Sequence, residues 1–288
     1  MSDRLLITGA TGFVGRKVLA GLMQKDVIIR AVVRSGTLAP DGVEEVVRTQ
    51  DLFRETSEWW TEVCSDVDTV IHLAWYAVPG KYLHALENLA CLQGTLQLAE
   101  GAIAAGVRRF VGAGTCFEYD LADGYLSIET PLRPSTSYSA AKAAAFLALS
   151  QILPKAHIDF AWCRLFYMYG EGEDPRRLAP YLHGQLSLGQ PAALTSGRQV
   201  RDFLDVAEVG RQISTVVFSE LQGAINICSG QPITVRQFAE QIADQYGRRD
   251  LLRFGVRPEN SLDPACVVGI PTPLPSAGDD FGKARASK

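Results

Sequence analysis

The sequence predicts an α/β fold: a doubly wound parallel sheet with a smaller α/β region after it. Three observations predict it. Short apolar, β-branched runs alternate with helical patterns through the first half of the chain, and that alternation builds a parallel sheet covered on both faces. A glycine-rich turn joins the first apolar run to the first helical pattern. Beyond residue 166 the regular alternation gives way to scattered pieces of helix and strand.

The elements follow in order. "LLIT" (5–8) is the first strand, and "FVGRKVLAGLM" after it has helical periodicity. "VIIRAVV" (27–33) is the second strand, "VEEVV" (43–47) a weaker third, "VDTVIHLA" (67–74) the fourth and "RRFVGAG" (108–114) the fifth. A long helix over 82–105 lies between the last two, and another covers 136–152. "HIDFAWCRLF" (157–166) is the sixth strand. "YGEGEDPRR" (169–177) has turn chemistry. Pieces at 177–188, 202–220, 223–228 and 234–246 make up the smaller region. The expected organisation is a nucleotide-binding sheet domain over 1–166 and a substrate-binding region over 167–270, with segments interleaved with the core. The Pro-, Gly- and Ser-rich stretch 271–288 is expected to be poorly ordered.

Composition narrows the function classes. Apolar residues make up 47% and charged residues 21%, which argues against a disordered chain. A net charge of −4 gives no electrostatic case for nucleic acid or an anionic membrane. The cysteines show no CxxC and the histidines no HxxxH, so neither a disulfide scaffold nor a metal site is expected. The start "MSDRLLITGA" lacks the apolar core of a signal peptide, and no later run approaches the roughly 18 apolar residues of a membrane span. A reduced, cytoplasmic protein is the expectation.

"TGATGFVG" places Gly9, Gly12 and Gly15 between the first strand and the first helix. Glycines there permit a tight turn and let backbone amides approach a pyrophosphate, with the positive end of the helix behind them. Thr11, Phe13 and Val14 complete this lip of a Rossmann-type dinucleotide site. An acidic residue at the end of the second strand would bind the ribose hydroxyl of NAD. Arg34 stands there instead, with Ser35 beside it, and a cation suits the extra phosphate of NADP. A solvated loop arginine, with NAD as the cofactor, is the alternative.

"SYSAAKAAAF" (137–146) sets Tyr138 and Lys142 one helical turn apart in an Ala-rich helix. Residues i and i+4 share a face. The pair is either core packing or chemistry, and a strand-end hydroxyl, Thr115, 23 residues upstream favours chemistry.

Taken together, "TGATGFVG", "DL" (51–52), "HLA" (72–74), "GTCFEY" (114–119), "YSAAK" (138–142), "CRLFYMYG" (163–170), "RDFLDV" (201–206) and "RPE" (257–259) resemble the extended branch of the short-chain dehydrogenase/reductase family. That group contains nucleotide-sugar epimerases, dehydratases and reductases. The resemblance implies that Tyr138 is the general acid/base, that Lys142 binds the nicotinamide ribose and favours the phenolate, and that Thr115 hydrogen-bonds the reacting oxygen. A free Tyr titrates near ~10, so the expectation is a phenol shifted toward neutrality by positive charge. Asp51, followed by Leu52, resembles the residue that receives the adenine amino group; it equally suits a helix N-cap. Leu73 and Ala74 would line the cofactor with backbone, and His72 would pack in its strand. Arg201 and Arg257 resemble the arginines that grip a substrate diphosphate, a task for forked guanidinium contacts. Surface salt bridges are their bland alternative, whereas Asp202 and Asp205 are expected to hold local structure.

Departures from the pattern refine the expectation. Related 4,6-dehydratases carry Asp-Glu after the Thr; Cys116 and Phe117 stand here, which disfavours dehydration. Cys91 replaces a helix Asn, and Tyr167 replaces an Asn that meets substrate phosphate. Cys116 and Tyr167 thus mark an altered sugar pocket. The expected function is hydride transfer at C4 of a nucleotide-diphosphate sugar, namely reduction of a 4-keto-6-deoxy sugar. A 4-epimerase with retained cofactor is the near alternative. A non-catalytic NADP-binding regulator and a reductase of small non-nucleotide carbonyls are the rival classes. The small-residue faces of the 82–105 and 136–152 helices suit a homodimer, as in many relatives, and equally suit packing within one chain.

Overall fold

The computed structural model describes residues 2–259 and 263–275. Seven parallel strands form its central sheet: β1 (Asp3–Thr8), β2 (Val27–Arg34), β3 (Glu45–Thr49), β4 (Thr69–His72), β5 (Arg109–Thr115), β6 (Asp159–Leu165) and β7 (Gly223–Ile227). Their order is β7-β6-β5-β4-β1-β2-β3. The order reverses at β1, whose neighbours are β2 and β4, and such a switch point opens a crevice at the carboxyl ends of the strands. Thr8 stands opposite His72 there.

Helices α1 (Phe13–Leu22) and α6 (Val206–Phe218) cover one face, with Val18, Leu22, Val209 and Ile213 packed against Leu5, Ile7 and Val111. Helices α2 (Ser57–Val63), α3 (Glu87–Ala105) and α4 (Ser137–Lys155) cover the other, with Trp60, Leu98 and Leu149 against Leu6, Phe110 and Trp162. Strands enclosed on both faces need continuous apolar runs, and β5 is buried along its whole length. Helices α5 (Leu178–Ser187) and α7 (Val235–Asp244) build a separate apolar cluster from Leu182, Leu186, Phe238 and Ile242.

The departures from the sequence reading have local causes. Six strands were expected and seven form the sheet: β7 returns to pair with β6 from far downstream. The piece 202–220 splits. Phe203–Asp205 pairs with the short strand Tyr167–Tyr169, and the Asp205 carboxylate then caps α6 by accepting from the Ala207 N–H at 2.7 Å. The long helix starts later, at Glu87, behind a 3-10 turn at Tyr82–His84. The third strand runs two residues further, and β4 ends at His72, freeing Leu73 and Ala74 for the crevice. Helix α2 was not anticipated; Thr56 caps it, and Trp60 and Val63 are its buried residues.

Of the stretch expected to be poorly ordered, 271–275 lies against the sheet: the Thr272 hydroxyl accepts from the Asn226 N–H at 2.9 Å, and Leu274 packs on the core. Residues 276–288 lie outside the described residues. Among the described residues no helix is long and apolar enough to cross a membrane.

Candidate active site

The glycine turn sits at the carboxyl end of β1. Gly9 has φ +76, and a Cβ on it would lie 2.7 Å from the Ala74 nitrogen. The Gly12 N–H donates to the Gly9 carbonyl at 3.0 Å, closing the turn. A Cβ on Gly15 would lie 1.9 Å from that same carbonyl oxygen. The chain therefore demands glycine at both positions. Helix α1 begins beyond this turn with no side-chain cap and no acid in its first turn. Its leading amides and positive end suit an anion. Thr11 and Gly12 are exposed on the lip, and Phe13 and Val14 are half-buried behind it. The cradle fits a dinucleotide pyrophosphate.

Around it stand the other residues read from the sequence as cofactor contacts. Arg34 is exposed at the end of β2, and the Ser35 N–H donates to the Thr49 carbonyl at 2.7 Å. Asp51 takes the N-cap role: one oxygen accepts from the Phe53 N–H at 3.1 Å, ahead of the turn that Leu52 opens, and the other lies 3.3 Å from Arg54. Leu73 and Ala74 follow β4 beneath Gly9. His72 is a strand residue, bonded to Thr8 at 2.8 Å and Thr95 at 2.9 Å; burial, then the charge of Lys142, pushes its pKa down to about 3, so it is neutral.

The reactive group assembles where α4 crosses the end of β5. Thr136 and Ser139 form a capping box that sets the first turn of α4 and so aims Tyr138. The Tyr138 ring meets Tyr82 at 4.8 Å and Trp75 at 6.4 Å, both edge-on. Thr115, the last residue of β5, stands near enough to the phenol to lower its pKa. Lys142 is 2% exposed. Its ammonium donates to the Ala113 carbonyl at 2.5 Å and lies 3.8 Å from the Trp75 ring centre. The predicted Tyr, Lys and Thr are thus brought together.

Electrostatics correct one expectation. Burial, followed by Tyr82, pushes the Tyr138 phenol above its ordinary value; the Thr115 side chain draws it back only in part, and Glu118 and Cys116 add to the rise. The expected lowering toward neutrality is absent, because the Lys142 ammonium is turned to Ala113 and Trp75. Burial in turn lowers Lys142 to about 7, opposed by the charge of Glu118.

Of the residues expected at the substrate, Cys116 is buried beside Thr115, and burial pushes its thiol up. Phe117 packs on Tyr167 at 6.0 Å, and the Arg201 guanidinium lies 5.1 Å from the Tyr167 ring. Tyr167 thus lies between Phe117 and Arg201, in one apolar cluster with Cys116. Arg201 is not a surface residue: it is 2% exposed, donates to the Val200 carbonyl at 2.8 Å and pairs with Asp263 at 2.6 Å. Arg257 stands apart, exposed, 4.7 Å from the Tyr181 ring. Asp202 ties together Ser229, Gly230 and Gly269 by their backbone N–H groups.

Sequence reasoning missed Glu118, Trp75 and Tyr82. The spacing Thr-x-x-Glu at 115–118 was a readable capping-box signal, and the box is formed. Trp75, directly after "HLA", had no local signal; its indole donates to Asn88 at 2.8 Å. One turn beyond Asn88, the Cys91 sulfur accepts from the Tyr76 N–H at 3.4 Å. Among the described residues no group of three or more His, Cys, Asp or Glu could hold a metal ion.

A glycine cradle at a switch point, with Tyr, Lys and Thr gathered beside it, defines a Rossmann-fold oxidoreductase of the short-chain dehydrogenase/reductase type. Residues 5–228 match the profile of the NAD dependent epimerase/dehydratase family, and the chain belongs to that family of enzymes. It is 25% identical over 277 residues to dTDP-6-deoxy-L-talose 4-dehydrogenase (NAD(+)) of Aggregatibacter actinomycetemcomitans, covering 92% of this chain and 98% of that one. It is 27% identical to MoeE5, solved in complex with UDP-glucuronic acid and NAD, with a TM-score of 0.77 over 93% of this chain and 90% of that one. UDP-glucose 4-epimerase of Thermotoga maritima shares the fold at a TM-score of 0.81 and 19% identity, over 93% of this chain and 90% of that one.

Proposed function

We propose that the protein is an NADP-dependent reductase acting at C4 of a nucleoside-diphosphate 4-keto-6-deoxy sugar. The observation that carries this reading is the meeting of Thr115, Tyr138 and Lys142 at the end of β5, beside the glycine cradle. The A. actinomycetemcomitans relative, by its name, oxidises C4 of a dTDP-6-deoxy sugar, and ketone reduction is the reverse of that step. NADP rests on Arg34, an exposed cation at the carboxyl end of β2.

When bound, the nicotinamide cofactor supplies hydride. The chain's own residues do the rest. Thr115 donates to the ketone oxygen and polarises it, and Tyr138 gives its proton as the alkoxide forms. A phenol held protonated by burial suits donation, which is what reduction requires. Lys142, one turn away on α4, would bind the nicotinamide ribose and lend positive charge. Arg201 would take the diphosphate once Asp263 gives way, and Cys116 and Tyr167 would face the sugar. Cys116 lacks the acidity that elimination of water needs.

A homodimer through α3 and α4 is part of this reading: Leu86, Leu89 and Leu147 are more than half exposed there.

The test is consumption of NADPH or NADH with dTDP-, UDP- and GDP-linked 4-keto-6-deoxy sugars, with the product sugar identified by NMR. Net oxidation of the cofactor supports a reductase. Interconversion of two epimers without net oxidation would assign a 4-epimerase, and dinucleotide binding without turnover would assign a regulator.

A further inference from the structure

Lys142 carries its charge into a place with little to bind it. It is buried, and among the described residues its ammonium has one hydrogen-bond acceptor, the Ala113 carbonyl at 2.5 Å. An ammonium has three donors, and burying it short of acceptors is costly. Aromatic faces make up the deficit. The Trp75 ring centre lies 3.8 Å from Nζ and that of Trp162 5.6 Å, both within reach of a cation–π contact. Trp162 belongs to β6, fully buried and tied by its indole to Glu118. Trp75 is different: it follows β4 outside any strand or helix and is only half-buried, so its ring needs an anchor.

One amide supplies it. Asn88, in the first turn of α3, is 2% exposed. Its Oδ1 accepts from the Trp75 indole at 2.8 Å, and its Nδ2 donates to the carbonyls of Tyr82 at 2.6 Å and Ala85 at 2.9 Å. An indole only donates and a carbonyl only accepts, so a side-chain amide suits all three. Asn88 thereby ties two rings to one point, because Tyr82 meets the Tyr138 ring edge-on at 4.8 Å and Trp75 meets it at 6.4 Å. One turn on, the Cys91 sulfur accepts from the Tyr76 N–H and pins the chain just past Trp75. Phe53 meets the indole edge-on at 6.4 Å.

We infer that Trp75, anchored by Asn88, is a positioning residue for Lys142: its indole face seats the ammonium at the end of β5, in the place from which it would bind the nicotinamide ribose. The purpose of the seat rests on that proposed task of Lys142; the seat itself does not. Calorimetric binding of NADH and NADPH to the full-length chain, with no sugar present, tests it through a double-mutant cycle. Trp75→Leu should weaken binding about tenfold, as loss of one desolvated cation–π contact implies, and Trp75→Phe, which keeps a ring face, by less. In a Lys142→Met background Trp75→Leu should change nothing further. Asn88→Leu, which keeps the indole and removes its anchor, should also weaken binding only where Lys142 is present, and it carries the cycle if Trp75→Leu does not fold. NMR of carbon-13-labelled lysine reads the seat directly, with Lys142→Met assigning the signal. The Trp75 ring current should move the Lys142 ε-methylene protons upfield, and Asn88→Leu should shrink that shift. Equal losses of affinity with and without Lys142 would overturn the inference and leave Trp75 a packing residue, as would an ε-methylene signal that Asn88→Leu does not move. If Lys142→Met binds both dinucleotides as the wild type does while Asn88→Leu displaces the ε-methylene signal, the ribose task of Lys142 falls and its seating by Trp75 stands.

Discussion

Replacing Lys142 by Met should make the protein more stable. The ammonium is buried at 2% exposure with one carbonyl acceptor and the face of Trp75 for company. Burial moves it from 10.5 to about 7. At about 1.4 kcal/mol per pH unit, holding that proton in the folded state costs on the order of 3–5 kcal/mol. Met fills similar volume without charge, and loses a hydrogen bond of about 1 kcal/mol. A net gain of about 2–3 kcal/mol at a pH below 7 follows, or roughly 5–10 °C in Tm. The sign depends on pH. Between about 7 and 10.5 the unfolded chain keeps the Lys142 proton and the folded chain releases it, so wild-type stability rises through this window. The advantage of Met should therefore be largest below 7 and shrink toward 10.5. Urea unfolding at both ends of that range measures it. A Met variant less stable than wild type at the lower pH, or a gain that ignores pH, would refute the reasoning. The gain in stability should come with loss of turnover, since active sites are held at the expense of stability.

Other consequences can be checked as readily. Tyr138→Phe should bind dinucleotide as the wild type does and lose about 10²–10⁴-fold in kcat, measured by stopped-flow cofactor absorbance; full turnover would remove the acid role. Gly15→Ala puts a methyl 1.9 Å from the Gly9 carbonyl oxygen, so dinucleotide affinity should fall at least tenfold by fluorescence titration, and native affinity would displace the cofactor site from this loop. Arg34→Ala should weaken NADP by about 1.5–3 kcal/mol and leave NAD unchanged; equal effects on both would return Arg34 to the status of a solvated loop residue. Leu86→Lys with Leu147→Lys should convert a dimer to monomer in analytical ultracentrifugation, and a dimer that persists would place its interface elsewhere.

Particular residues show where the chain's order of letters is enough and where it is not. The glycine turn was readable because its cause is local: Gly9 adopts a positive φ, and Gly15 packs on backbone only six residues away. Tyr138 and Lys142 were readable because helix periodicity alone puts them on one face. The strands of the first half were readable because burial on both faces demands continuous apolar runs. Membership of β7 in the sheet was not, since pairing between Asn226 and Arg164 joins segments 62 residues apart in the chain. Nor was the company of Lys142. Trp75 and Ala113 reach it from different elements, and the direction in which its proton affinity moves depends on how completely those elements exclude water. The pairing of Arg201 with Asp263 is of the same kind. Sequence by itself determined the sheet's first half, the phosphate turn and the Tyr-Lys spacing, because these follow from backbone sterics and local periodicity. Tertiary structure alone decided which strand closed the sheet and which charges face one another, because desolvation and Coulomb forces act across space between residues that the chain keeps far apart.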